Sequence, residues 1–160
     1  MPRWTIATTL TALTIIALTH DARAHCQVPC GIYHDADRVK MIREDITTIT
    51  KAVKEIASLS GKRDAQSANQ LVRWVMTKEQ HAEKIIRTIS DYFMAQKIKP
   101  PQTNKPADPR DRKALAAYQQ MLTRHHAVMV AAMKCKQTAS AGAVKALAKT
   151  VDAIAGYWKN

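Results

Sequence analysis

The stretch "VKMIREDITTITKAVKEI", residues 39–56, decides the fold of this chain. Its apolar residues recur at alternating intervals of three and four, which places them on one side of an α-helix. Asp35 or Asp37 can cap this helix at its start, and the polar stretch "SGKRD" at 60–64 ends it. The residues of the apolar stripe are Val39, Ile42, Ile46, Ile49, Val53 and Ile56.

Three further stretches with helical periodicity follow, at about 65–96, 110–138 and 143–158. The loop at 97–109 contains four prolines, which cannot occupy a helix interior, and a short turn at 139–142 separates the last two helices. Four amphipathic helices with such connections predict an all-α protein, an antiparallel up-down four-helix bundle. The residues expected to face its core are Leu71, Val75, Ala82, Ile85, Ile89, Tyr92 and Phe93, then Leu115, Tyr118, Leu122, His125, Met129 and Ala132, then Val144, Leu147, Val151 and Ile154.

Composition is consistent with one helical domain. The chain has 160 residues, of which 46% are hydrophobic and only four are glycine, and we find no internal repeat. Its formal charge of +12 attracts anions in general, whether nucleic acid, anionic lipid or a small anionic substrate. Because the lysines and arginines are scattered over the outer faces of the predicted helices, we expect no nucleic-acid partner.

The N-terminus has the features of a secretory signal peptide, residues 1–24. Arg3 precedes an apolar run at 4–19, and a small-x-small cleavage signal ends at Ala24. An uncleaved membrane anchor or a buried helix is the alternative, although the run is short for a membrane span. Cleavage predicts a secreted or periplasmic domain at 25–160 with no stable membrane association and a formal charge of +11.

Cleavage also makes His25 the N-terminus, which gives the stretch "HCQVPCGIY" at 25–33, the hook, a metal-binding chemistry. The amine of His25 and the backbone nitrogen of Cys26 form one five-membered chelate ring, and the nitrogen and sulfur of Cys26 form a second. Cys30 can supply a second thiolate, and the His25 imidazole can reach an axial position. Planar nitrogen and sulfur donors suit nickel(II) or copper(II).

The alternative for the two hook cysteines is a disulfide, which an oxidising compartment favours. A disulfide over so few residues at a chain end would stabilise little. Cys135 lies at a helix position expected to be buried, so we interpret it as an inert core thiol. Of the pair His125–His126, one is expected to face the core and the other the surface. No Glu-x-x-His pair is present, which disfavours a di-iron site.

The hook resembles the N-terminus of nickel superoxide dismutases, which reads His-Cys-x-x-Pro-Cys-Gly-x-Tyr. The stretches "NQLVRWVMTKEQHAEKI" at 69–85 and "YFMAQKIKP" at 92–100 are similar to the second helix and the following loop of that family, especially in its cyanobacterial-type branch. The four-helix bundle of the family would cover all of 25–160. The positions that match the hook motif are His25, Cys26, Pro29, Cys30, Gly31 and Tyr33.

The resemblance implies that the protein converts superoxide to dioxygen and hydrogen peroxide by Ni(II)/Ni(III) cycling, as an antioxidant defence with one nickel per subunit. It implies that Cys26 and Cys30 supply sulfur ligands, that Cys26 also supplies its amide nitrogen, and that His25 supplies its amine and imidazole. It implies that Tyr33 stands over the open face of the metal and controls access of substrate. The family is typically a homohexamer, and some members are processed in the cytoplasm by a dedicated enzyme.

Two other functions remain open at the level of sequence. A carrier of nickel or copper could use the same hook without catalysis, and a helical interaction protein could carry a disulfide there.

The sequence departs from the family in the residues that hold the axial imidazole. In the family, a glutamate early in the first helix and an arginine in the second commonly hold it. The glutamate position falls here near Lys40 or Met41, neither of which can accept that hydrogen bond, and His81 lies near the arginine position. Glu44 and His81 are therefore the candidates for orienting His25.

Overall fold

The structure, a computed structural model, describes residues 34–102 and 108–159. The described residues form α-helices and one π-helical segment and contain no strand, which confirms the all-α prediction. The elements are α1 (Asp35–Leu59), α2 (Ala65–Arg87), the π-helical segment (Thr88–Lys97), α3 (Pro109–Gln137) and α4 (Ala141–Ala155). The leader and the hook lie outside the described residues.

Each helix runs antiparallel to its neighbours, as an up-down bundle requires. Asp35 at the start of α1 contacts Tyr92, which lies after α2 in the π-helical segment, whereas Asp45 farther along α1 contacts His81 within α2, so α1 and α2 run in opposite directions. The helix α3 packs against both α2 and α4. The helix α4 packs against α1, and an ion pair between Arg43 and Asp152 joins them. The four-helix bundle is thus confirmed. No helix within the described ranges is long and apolar enough to cross a membrane.

The predicted stripes of α1 and α4 are entirely buried and form the centre of the core. Two predicted core residues are wrong, because Val75 is 38% exposed and Leu115 is 43% exposed. Val75 precedes Lys78, which contacts the last carbonyls of α3, so this part of α2 extends beyond the end of α3. Leu115 lies on the first turns of α3, which is 29 residues long and extends beyond the 15-residue α4.

The π-helical segment replaces the last turns predicted for the second helix. Its wider turn is marked by the N–H of Ile98, which donates to the carbonyl of Phe93 five residues earlier at 2.9 Å. This geometry buries the consecutive residues Tyr92 and Phe93 together, and both contribute to the core. Short π-helical turns occur frequently at functional sites.

Lys78 is a buried cation that the scattered surface charges did not predict. Its ammonium donates to the carbonyls of Cys135 and Lys136 in the last turn of α3 and to Glu79 at 2.7 Å. A cation at a helix C-terminus satisfies carbonyls that have no partner within the helix. Cys135 is fully buried beside it, and burial raises the pKa of the thiol, which agrees with an inert core role.

We predict that Lys78→Met lowers the free energy of unfolding by about 2–3 kcal/mol, because two buried carbonyls lose a charged donor. Chemical denaturation measures the change. Lys113→Met removes an exposed lysine of α3 and should change stability by less than about 0.5 kcal/mol. Equal effects of the two substitutions would contradict this role of Lys78.

Candidate metal centre

The predicted metal ligands His25, Cys26 and Cys30 and the predicted gating residue Tyr33 lie outside the described residues. The described chain begins at His34 and enters α1 at the next residue. The structure therefore shows the part of the bundle to which the hook is joined, and the polar groups available on α1 and α2.

The first turn of α1 is held to the π-helical segment by the carboxylate of Asp35. Its Oδ1 accepts hydrogen bonds from the hydroxyl of Tyr92 at 2.6 Å and from the ammonium of Lys97 at 3.0 Å. The guanidinium of Arg38 lies 5.1 Å from the centre of the Tyr92 ring, within the range of a cation–π contact. The expectation that Asp35 or Asp37 caps α1 is wrong, because the N-cap is His34, which forms no side-chain capping bond.

A groove of about 750 Å³ begins at Tyr92 and Arg38 and follows the outer face of α2 towards α3. Four cations and two glutamates line it. Glu83 lies between Lys136, at 2.8 Å, and Arg87, at 3.1 Å, and hydrogen bonds from these two cations lower its pKa. The charged residues of the groove are Arg38, Lys84, Arg87, Lys136, Glu79 and Glu83. The lining is thus positive overall.

A second polar cluster lies between α1 and α2 and centres on Asp45, which is only 2% exposed. Its Oδ1 is 2.7 Å from Nδ1 of His81 and 3.0 Å from the ammonium of Lys84. Its Oδ2 is buried and has no hydrogen-bond partner among the described residues. A buried carboxylate oxygen without a donor is rare, and it marks a place where a further donor would be stabilising.

The imidazole of His81 is oriented by this contact. Because a carboxylate only accepts hydrogen bonds, Nδ1 carries a proton, and in the neutral ring Nε2 is an acceptor. Nε2 makes no hydrogen bond within the described part of the chain, and the side chain is 32% exposed. Among the sequence candidates, His81 is therefore beside a buried acid.

Glu44 does not face this cluster. It is exposed, as are Lys40 and Met41. Sequence reasoning missed Asp45, although the signal was present, because position 45 is three residues after Ile42 and four before Ile49 and so lies beside the buried stripe.

The pair His125–His126 separates as expected, with His125 fully buried and His126 exposed. Across 34–102 and 108–159, no group of three or more His, Cys, Asp or Glu side chains could hold a metal ion. The described bundle thus offers no alternative to the metal ligands that the sequence predicts in the hook.

Comparison with known families shows the family to which the chain belongs. The family model for nickel-containing superoxide dismutase matches residues 20–160. The chain belongs to this family. As a nickel-containing superoxide dismutase it is an oxidoreductase, nickel is its cofactor and superoxide is its substrate. No curated protein and no solved structure matches the chain.

We predict that Tyr92→Phe lowers the free energy of unfolding by about 1–2 kcal/mol, because the hydroxyl donates to a carboxylate at 2.6 Å. Thermal or chemical denaturation measures the loss. Tyr118→Phe is the matched control, since Tyr118 packs at the edge of the core and its hydroxyl has no hydrogen bond among the described residues. A loss of similar size in Tyr118→Phe would show that the Asp35 contact is not the cause.

Proposed function

We propose that the hook binds the nickel of this superoxide dismutase, one ion per chain, after removal of residues 1–24. His25 supplies its amine and imidazole, Cys26 its amide nitrogen and thiolate, and Cys30 a second thiolate. The observation that carries this proposal is the match of the nickel-containing family over 20–160, which includes the whole hook motif. The alternative of a cysteine disulfide would remove both thiolates.

The donor set fits nickel in a redox role. Bound nickel supplies one-electron chemistry, cycling between Ni(II) and Ni(III) as two superoxides become dioxygen and peroxide. Thiolates and a deprotonated amide are strong anionic donors, which favour the higher oxidation state. The ligands must lose protons to bind, so nickel affinity falls at acid pH.

The remaining predicted site residue of the hook, Tyr33, restricts access to the metal with its hydroxyl. Encounter with the anionic substrate is favoured by the charge of +11 on 25–160 and by the groove cations. Arg38 in that groove is one turn from the start of α1 and thus close in the chain to Tyr33. Electrostatic attraction of this kind is weakened by salt.

Asp45 and His81 orient the imidazole of His25 in place of the missing glutamate and arginine. A metal-bound histidine usually donates its other ring N–H to an acceptor. In the described cluster between α1 and α2, Oδ2 of Asp45 and Nε2 of a neutral His81 ring are acceptors without a donor. Asp45 lies about 15 Å along α1 from Asp35. Because Cys30 binds the same nickel, the five residues from Cys30 to Asp35 form the tether, and they can span up to about 17 Å, so the metal centre can reach back to Asp45.

Two further properties follow from the sequence and the family resemblance. The signal peptide exports the protein to the periplasm or the medium, or a dedicated enzyme processes it in the cytoplasm. The chain assembles as a homo-oligomer, a hexamer by resemblance. Intact mass and native mass of the protein from its host measure the cleavage site and the number of subunits.

We predict that the chain beginning at His25 binds one nickel and removes superoxide, whereas one additional residue before His25 abolishes activity. The additional residue converts the amine into an amide and so removes a ligand. Metal analysis and a superoxide-decay assay measure both properties. Cys26→Ser and Cys30→Ser should each lose activity as well, whereas Cys135→Ser should retain the metal. Full activity of the extended chain would contradict an N-terminal ligand, and copper or zinc without activity would contradict nickel catalysis at the hook.

We predict that Asp45→Asn keeps the fold and the nickel but lowers activity about 10–100-fold, because the imidazole loses its orienting carboxylate. The electron paramagnetic resonance spectrum of the oxidised protein should lose the nitrogen splitting that a bound His25 imidazole would cause. Glu44→Gln is the matched control on the neighbouring exposed position and should be normal in both measurements.

His81→Gln provides a second variant in case Asp45→Asn folds poorly, as circular dichroism would reveal. If wild type is active and all three variants match it, the role of Asp45 and His81 is wrong while hook catalysis stands. If wild type itself contains no nickel, the proposed metal centre is wrong.

A further inference from the structure

His125 is fully buried and has a partner on each ring nitrogen. Nδ1 is 2.8 Å from the carbonyl oxygen of Met121 in the preceding turn of α3. Nε2 is 2.9 Å from Nε1 of Trp158, which follows α4. The ring also packs against Phe93, with centroids 5.7 Å apart, and against Tyr157, at 6.2 Å.

These partners permit only one protonation state. A carbonyl only accepts hydrogen bonds, so Nδ1 must carry a proton, and an indole N–H only donates, so Nε2 must be a bare acceptor. The imidazole is therefore neutral. A second proton on Nε2 would point at the indole N–H, and both the Trp158 hydrogen bond and the desolvated environment oppose it.

Among the described residues, no anion lies beside His125 to compensate a positive charge on its ring. The π-helical segment contributes Phe93, and the residues after α4 contribute Trp158 and Tyr157, whose hydroxyl is 3.5 Å from Gln120. The cation Arg124 lies over the Tyr157 ring, 5.5 Å from its centre. None of the described carboxylates contacts the imidazole. Burial lowers the pKa of His125 below its usual 6.5, and the Met121 bond offsets this only in part.

The His125–Trp158 contact is one of several that hold the C-terminal residues 156–159 on the bundle. After α4 ends at Ala155, backbone hydrogen bonds from Tyr157 and Trp158 to the last turn help to hold residues 156–159. The Trp158 ring packs on Phe93 at 4.7 Å, and the neighbouring Tyr92 bonds to Asp35 at the start of α1. The contact thus lies at the end of the bundle where the hook joins.

We propose that the His125–Trp158 hydrogen bond is an acid-sensitive latch, which holds residues 156–159 on the bundle at neutral pH and releases them when His125 takes up a proton. Release lets the imidazolium reach water, so the open form binds the proton more tightly than the closed form. The ratio of the open form to the closed form therefore rises as pH falls below about 6.5, by at most about tenfold per pH unit. This inference does not depend on the metal centre.

Nuclear magnetic resonance of the full chain tests the latch without any substitution. We expect the indole N–H of Trp158 and the amides of Tyr157 and Trp158 to lose hydrogen-exchange protection between pH 7 and 5, after correction for intrinsic exchange. Core amides of α1 should retain theirs over the same range. Unchanged protection of residues 157 and 158 would overturn the proposal, and so would simultaneous loss throughout the bundle, which would indicate global unfolding.

The adjacent histidines provide matched variants. His125→Gln removes the titrating group, so protection of Trp158 should no longer depend on pH in this range. His126→Gln removes an exposed imidazole one residue away and should leave the wild-type pH dependence. Retention of the acid response in His125→Gln, or its loss in His126→Gln, would assign the response to another group. If His125→Gln does not fold, the wild-type titration of the His125 ring decides, because its midpoint must coincide with the loss of Trp158 protection.

Discussion

Burial of one side of α1 is the constraint on which the rest of the structure depends. Its stripe of valines and isoleucines lies between α2 and α4, and each such side chain contributes roughly 1.5–3 kcal/mol when removed from water. Together they outweigh the several kcal/mol that burial of one carboxylate costs. Asp45 can therefore be buried in the helix interface beside the stripe, because His81 and Lys84 of α2 contact its carboxylate.

Three buried polar side chains then fix how the elements meet. Asp45 joins α1 to α2, Lys78 joins α2 to the end of α3, and His125 joins α3 to the residues after α4. Apolar contacts tolerate small shifts along a helix, whereas a buried polar atom that loses its partner is costly. These contacts thus specify the axial position of each helix relative to its neighbour.

Local periodicity predicted most of the fold. The ends of α1, α3 and α4 agree with the sequence to within a few residues, and the stripes of α1 and α4 are buried completely. The errors at Val75 and Leu115 have a common cause, since both residues lie where a helix extends past its neighbour. Helical periodicity describes one helix at a time and contains no information on how far the adjacent helix reaches.

By itself, the sequence determined the helices, the family resemblance and the chemistry of the hook, because these depend on residues close together in the chain. The predicted chelate of a terminal His25 followed by Cys26 uses only neighbouring residues and does not depend on the bundle. Only the tertiary structure decided that Asp45 rather than Glu44 lies beside His81, that Lys78 caps α3, and that His125 bonds to Trp158. Each of those pairs joins residues more than thirty positions apart, and packing of the helices brings them within hydrogen-bonding distance.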